Sequence, residues 1–184
     1  MIHDTDRRGW FGASDTVRVM GRWDTQSFSQ WWAVKLGVLR EDFSSLAMRT
    51  GTAYEHPILK YLGVPVLDRQ IRVRPLRLRV NLDGEDAGLI TEVKTYGTPV
   101  FRVTRPYWMQ CQVEMYAARK GCRIVAYRLE AEDYHNWFRP IDPERLSFWP
   151  VEYDRTWVEM AYLPRLKYLA QCLKRGGWPR EFDL

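Results

Sequence analysis

The chain has 184 residues, 46% of them hydrophobic and nine of them tryptophan, enough for one domain (1–184) with a substantial core and too much for a disordered segment. Its formal net charge of +5 suits a polyanionic partner without requiring one. No apolar run is long enough to span a bilayer, and the opening M-I-H-D-T-D-R-R-G has no hydrophobic stretch behind its charges; a soluble, cytoplasmic protein without membrane association is expected.

In chain order, residues 6–12 (D-R-R-G-W-F-G) read as a loop, with Ser14 or Asp15 placed to cap a helix starting near Thr16. A second helix is predicted over Ser27–Leu36, where Phe28, Trp31, Trp32 and Leu36 recur at helical spacing before Gly37. A third ends at Gly63, with Leu46, Ala53, Tyr54, Ile58, Leu59 and Leu62 as its apolar stripe; Pro57 is expected to kink or divide it. A short strand is predicted over Val64–Leu67, and a longer one over Arg69–Val80 alternates apolar residues with arginines, Pro75 marking a bulge or an edge. Asn81–Gly84 and Glu85–Gly88 supply turn residues, and Leu89–Thr95 is the next strand. A helix follows from Pro106 to Lys120 with proline in its first turn, then a strand over Cys122–Leu129. Residues 134–150 are aromatic and proline-rich with no clear period, and a final helix runs from about Arg155 to Lys174. The order predicts an α/β fold, a mixed central sheet flanked by helices.

Three residues carry the chemistry. Asp83 lies at the end of one predicted strand, and Glu92 and Lys94 lie two apart on the next, so they share a face. If the strands are antiparallel neighbours, all three converge. Two carboxylates form an oxygen site for a hard divalent cation, and a lysine beside them can hold a water, the apparatus for metal-assisted phosphodiester hydrolysis. An E-x-K triplet alone arises by chance on exposed strands. Burying these charges in a sheet is costly unless they compensate one another or bind a metal. Cys111, Cys122 and Cys172 form no C-x-x-C pair, and Cys111 and Cys122 read as buried small hydrophobes; His3, His56 and His135 are scattered, so a zinc or iron–sulfur site is not expected. Glu114 reads as a solvated helix residue. The arginines from Arg69 to Arg79 either follow a nucleic-acid backbone or face water, and most tryptophans read as core or interface.

These residues resemble the PD-(D/E)XK nucleases, and within them the phage-type alkaline exonucleases, a branch that includes the YqaJ-like viral recombinases and the lambda exonuclease. The resemblance rests on four blocks spanning roughly residues 7–121: R-R-G-W-F-G-A-S-D, R-T-G-T-A-Y-E-H-P, N-L-D-G followed by E-V-K, and Y-W-M-Q-C-Q-V-E-M. It implies a restriction-endonuclease-like core with Asp83, Glu92 and Lys94 in the three catalytic roles. Glu55 is implied as the helix glutamate near the metal, and Gln110, Gln112 and Met115 as lying on a helix flanking the site, Gln110 facing the chemistry. The implied cofactor is Mg²⁺ or Mn²⁺, held by Asp83, Glu92, the Val93 carbonyl and Glu55. Ser14 and either Arg7 or Arg8 are implied as ligands of a terminal phosphate, with Trp10 beside them and Gln112 near the substrate.

The expected function is a metal-dependent 5′–3′ exonuclease acting on duplex DNA ends in phage-type recombination. A single-strand annealing partner is implied by the family, and self-association stays open. The alternatives are a structure- or sequence-directed endonuclease of the same fold and a non-catalytic DNA-binding module. The four-cysteine cluster nucleases fit poorly, because three cysteines cannot supply four thiolates.

Overall fold

The computed structural model describes residues 6–40 and 45–180; His3, one of the three scattered histidines, lies outside them. Among these residues a five-stranded sheet runs in the order β1-β2-β3-β4-β5: β1 (Val66–Val73), β2 (Leu78–Glu85), β3 (Leu89–Tyr96), β4 (Gly121–Arg128) and β5 (Leu146–Val151). The β1–β2, β2–β3 and β4–β5 pairs are antiparallel; β3 and β4 are parallel. Helix α4 (Arg105–Ala118) provides the crossover that a parallel pair requires. This is the expected α/β core, a mixed sheet flanked by helices.

The helices before β1 are α1 (Thr16–Met20), α2 (Gln26–Lys35) and α3 (Leu46–Tyr61). Thr25 caps α2 by accepting from the Phe28 amide at 3.2 Å, and Ser45 caps α3 by accepting from Met48 at 3.2 Å. Tyr54, Ile58 and Leu59 of α3 pack with Val93, Val125 and Tyr127 on one face of the sheet. The other face carries the larger core, where Phe11, Phe28 and Trp32 meet Leu78, Val80, Ile124 and the buried side of α4. The chain closes with α5 (Arg155–Trp157), a π-helical turn over Val158–Tyr162, and α6 (Leu163–Arg175). Pro164, with no amide hydrogen to donate, sits just past the π turn and accounts for the widened register.

The structure departs from the sequence expectations at four places. Pro57 does not divide α3, which runs as one helix through it; the burial of Tyr54, Ile58 and Leu59 on both sides outweighs the one lost hydrogen bond. The region 64–80 is not a short strand plus a bulged one. It is all of β1, a 3-10 turn at Arg74–Leu76 and the start of β2, with Arg77 in the left-handed conformation (φ 50°) that reverses the chain. Asn81–Glu85 is strand rather than turn, so Asp83 lies within β2. The turn is at 86–88, where Asp86 Oδ1 accepts from the Gly88 and Leu89 amides. The aperiodic stretch 134–150 holds most of β5, an edge strand whose half-exposed Phe148 and Trp149 obscure its alternation.

Candidate active site

The β2–β3 ladder pairs Gly84 with Thr91 and Glu85 with Ile90, then opens. At the opening Asp83 Oδ2 accepts from the Val93 amide at 2.8 Å, so its side chain occupies the place of a ladder bond. Across β1 the ladder skips the position where Asp68, left-handed at φ 57°, lies opposite Asp83. Gly84 makes the approach of α3 possible: a Cβ there would lie 2.7 Å from Leu59 Cδ2 and 2.8 Å from Val64 Cγ1. Gly51 does the same against β3, its absent Cβ standing 3.0 Å from Thr95 Oγ1. Two glycines thus let α3 bring Glu55 to the strand opening.

On β3, Glu92 is 2% exposed and accepts from Lys94 Nζ at 2.6 Å and from Gln110 Nε2 at 2.5 Å, both at Oε1. Lys94 Nζ also donates to Gln110 Oε1 at 3.2 Å and lies 5.1 Å from the Tyr107 ring centroid. Glu92 Oε2 is buried with no hydrogen-bond partner among the described residues. The Val93 side chain turns to the opposite face and joins the α3 core.

Glu114 belongs to this centre and does not face water. It is fully buried one turn beyond Gln110, and its Oε1 accepts from Gln110 Nε2 at 2.8 Å. The signal was present in the sequence, since Gln110 and Glu114 are i and i+4 on one helix. Gln112 is the opposite correction. It is fully buried, donates to the Glu152 carbonyl at 2.8 Å and accepts from the Asp154 amide at 2.7 Å. Anchoring the segment after β5 with both ends of its amide, it offers a substrate nothing. Met115 packs in the larger core.

Four carboxyls therefore surround one ammonium, and the electrostatics record the imbalance. Burial, then the charge of Glu92, pushes Asp83 and Glu114 well above the usual carboxylate range, and the same two causes raise Glu55 to about 7. Burial opposes the charge on Lys94, but Glu92 and Asp83 outweigh it and hold the ammonium above its ordinary value. An orphaned Glu92 oxygen and several carboxyls short of compensating charge make a donor set of hard oxygens. These residues fit Mg²⁺ or Mn²⁺. Behind them the buried thiols of Cys111 and Cys122 lie within 4.8 Å of the Glu114 carboxylate and of each other, and His56 meets Asp68 at 3.0 Å beside Glu55.

Next to the carboxylates is a cavity of about 170 Å³ whose walls include Arg7, Trp10, Ser14, Lys35, Arg79, Asn81 and Gln110. Arg7 lines it and Arg8 does not; the Arg8 guanidinium turns outward to Asp6, 2.5 Å away. The loop bearing Ser14 is held from beneath by Asp15, which accepts from the Gly12 amide (2.7 Å), Trp31 Nε1 (2.8 Å) and Lys35 Nζ (2.6 Å). Asp15 and Lys35 are a buried pair that no local pattern announces, because 20 positions separate them. Phe11 joins the same loop to β2 through its bridge with Leu78.

No family model matches the chain, and no curated protein matches it at a significant level. Solved structures do. An alkaline exonuclease from Laribacter hongkongensis superposes with a TM-score of 0.64 at 21% identity, covering 92% of this chain and 93% of that one. A phage-related exonuclease from Haemophilus somnus 129PT superposes with a TM-score of 0.61 at 13% identity, covering 89% and 92%. The chain has the fold of these two exonucleases over nearly its whole length, as the resemblance in sequence implied.

Proposed function

We propose that this protein is a divalent-cation-dependent deoxyribonuclease that hydrolyses duplex DNA from its ends, entering at a 5′ phosphate. The observation that carries the reading is the double role of Gln110: its amide bonds Glu92 and Lys94, and the same residue lines the pocket of Arg7 and Ser14. A hydrolytic centre and an anion pocket thus share a wall.

Asp83, Glu92, the Val93 carbonyl and Glu55 would hold the cation, which when bound supplies a more acidic water and charge for the pentacovalent transition state. The rest is the work of the chain. Lys94, kept as an ammonium, orients the attacking water by donation and does not act as a base. Gln110 fixes Lys94 and Glu92 relative to each other. Arg7 and Ser14 grip the terminal phosphate, the guanidinium offering two parallel donors. Water oxygen bonds to phosphorus as the bond to the 3′ oxygen breaks, which releases a 5′-phosphorylated nucleotide with a free 3′ hydroxyl. The convergence of Asp83, Glu92 and Lys94, with Lys94 bound to Glu92 rather than collapsed on Asp83, supports catalysis over a binding-only module. Cytoplasmic action beside a single-strand annealing partner belongs to the same proposal.

The test is hydrolysis of linear duplexes with 5′-phosphate or 5′-hydroxyl ends and of closed circles, each with Mg²⁺, Mn²⁺ or EDTA. Metal-dependent loss from phosphorylated ends alone supports the reading. Cutting of closed circles moves the activity to an endonuclease, and no cutting with any metal refutes it.

A further inference from the structure

Trp10 lines the terminal-phosphate pocket and also a second, larger groove of about 600 Å³ walled by Arg72, Arg74, Pro75, Arg77 and Lys174. The groove lies between two elements. The 3-10 turn between β1 and β2, with Arg77 in its left-handed conformation, gathers three arginines at one end of the hairpin, and the end of α6 supplies Lys174. Among the described residues no acidic side chain lines it. A neighbouring groove of about 620 Å³ shares Arg77 and Lys174 and adds Arg8 and Arg175; its acidic lining residue, Asp6, is already paired with Arg8. Cations that serve stability are interleaved with acids, as in the Arg69–Glu85–Lys120 set elsewhere on this sheet. Here three arginines and a lysine line one groove. The Arg72 guanidinium stands 5.7 Å from the Trp10 ring centroid, so the mouth of the groove offers an aromatic face backed by a cation, a surface suited to an unpaired base and its phosphate.

The order of the features sets the occupant. The carboxylates come first, the pocket of Arg7 and Ser14 adjoins them through Gln110, and the basic groove adjoins that pocket through Trp10. We propose that the groove carries an unpaired 5′ extension of the strand being cut. The phosphate pocket then holds an internal phosphate, and the enzyme cuts behind the extension. This rests on the nuclease reading and deepens it: the substrates include 5′-overhanging and flapped duplex ends. The chemistry is unchanged. Water attacks phosphorus, the bond to the 3′ oxygen breaks, the extension leaves as an oligonucleotide with a 3′ hydroxyl, and the duplex keeps a 5′ phosphate.

The experiment is equilibrium binding, in EDTA to prevent cutting, of fluorescent duplexes that are blunt or carry a 5′ or 3′ single-stranded extension of about six nucleotides. Wild-type protein is compared with the Arg74→Glu/Lys174→Glu variant, and the same substrates are then incubated with Mg²⁺. The expected result is binding about tenfold tighter for the 5′ extension than for the blunt end, with no gain from the 3′ extension. The variant should lose that gain, and its log–log salt slope on the 5′-extended duplex should fall by about 1.4 for two phosphate contacts. With Mg²⁺ the wild type should release the extension as an oligonucleotide. Equal binding of all three ends, or a variant that weakens blunt and extended duplexes alike, would overturn the inference while leaving end hydrolysis standing. Failure of the wild type to bind or cut any of the three would overturn the nuclease reading and the inference with it.

Discussion

The buried pair beneath the Ser14 loop offers a sharp physical test. Lys35 and Asp15 side chains are 1% and 7% exposed and meet at 2.6 Å. Replacing Lys35 with Met keeps the stem and removes the ammonium. Asp15 is then a buried carboxylate with two neutral donors, the Gly12 amide and the Trp31 indole. Removing one partner of such a pair costs about 3–5 kcal/mol, because the other charge stays desolvated. For a chain of this size that lowers the melting temperature by about 10–15 °C. The double variant Asp15→Asn/Lys35→Met removes both charges and should recover more than half of the loss. Urea and thermal unfolding followed by circular dichroism read both quantities. A single-variant loss below about 1 kcal/mol, or a double variant no more stable than the single one, would refute the claim that this pair holds the loop.

Other consequences follow from the proposed catalytic centre. Lys94→Ala should lower hydrolysis by about a thousandfold or more in steady-state rates while end binding measured in EDTA stays within about threefold. Glu114→Met should free the Gln110 amide to turn, lowering kcat by about 10–100-fold with little change in KM, a split read in the same assay. Glu55 gives a pH signature in metal-free protein. Its folded pKa of about 7 lies above the unfolded value of 4.5, so its contribution to stability is full below about pH 4.5 and is lost as pH rises through about 7. Unfolding at pH 5.5 and 8 should show this decline, Glu55→Gln should remove the share that Glu55 contributes while Asp83 and Glu114, also raised, keep theirs, and saturating Mg²⁺ should offset it at pH 8.

The sequence made the chemistry of β2 and β3 legible because a strand has a period of two: Glu92 and Lys94 had to share a face, and a carboxylate on an antiparallel neighbour could meet them there. It misplaced the turn, since N-L-D-G-E-D reads as punctuation while the hydrogen bonds that make 81–85 a strand come from β1. Lone loop residues were ambiguous for the same reason, and only tertiary contacts separate Arg7 in the pocket from Arg8 on Asp6. Asp15, Lys35 and Arg79 were invisible as a set, brought together from a loop, a helix and a strand. Glu114 stands i+4 from Gln110, a spacing that pairs them, but a charged residue on a helix is usually solvated. Gln112 shows the converse, a motif position whose role here is to pin the chain after β5.

Hydrolysis from the duplex end is read from the first product of a blunt, 5′-phosphorylated linear duplex in Mg²⁺, with Asp83→Asn as control. 5′-Mononucleotides with free 3′ hydroxyls should appear from the earliest times, with none in EDTA and none from the variant. Internal fragments with the terminal nucleotide still attached, or equal release from the variant, would contradict it.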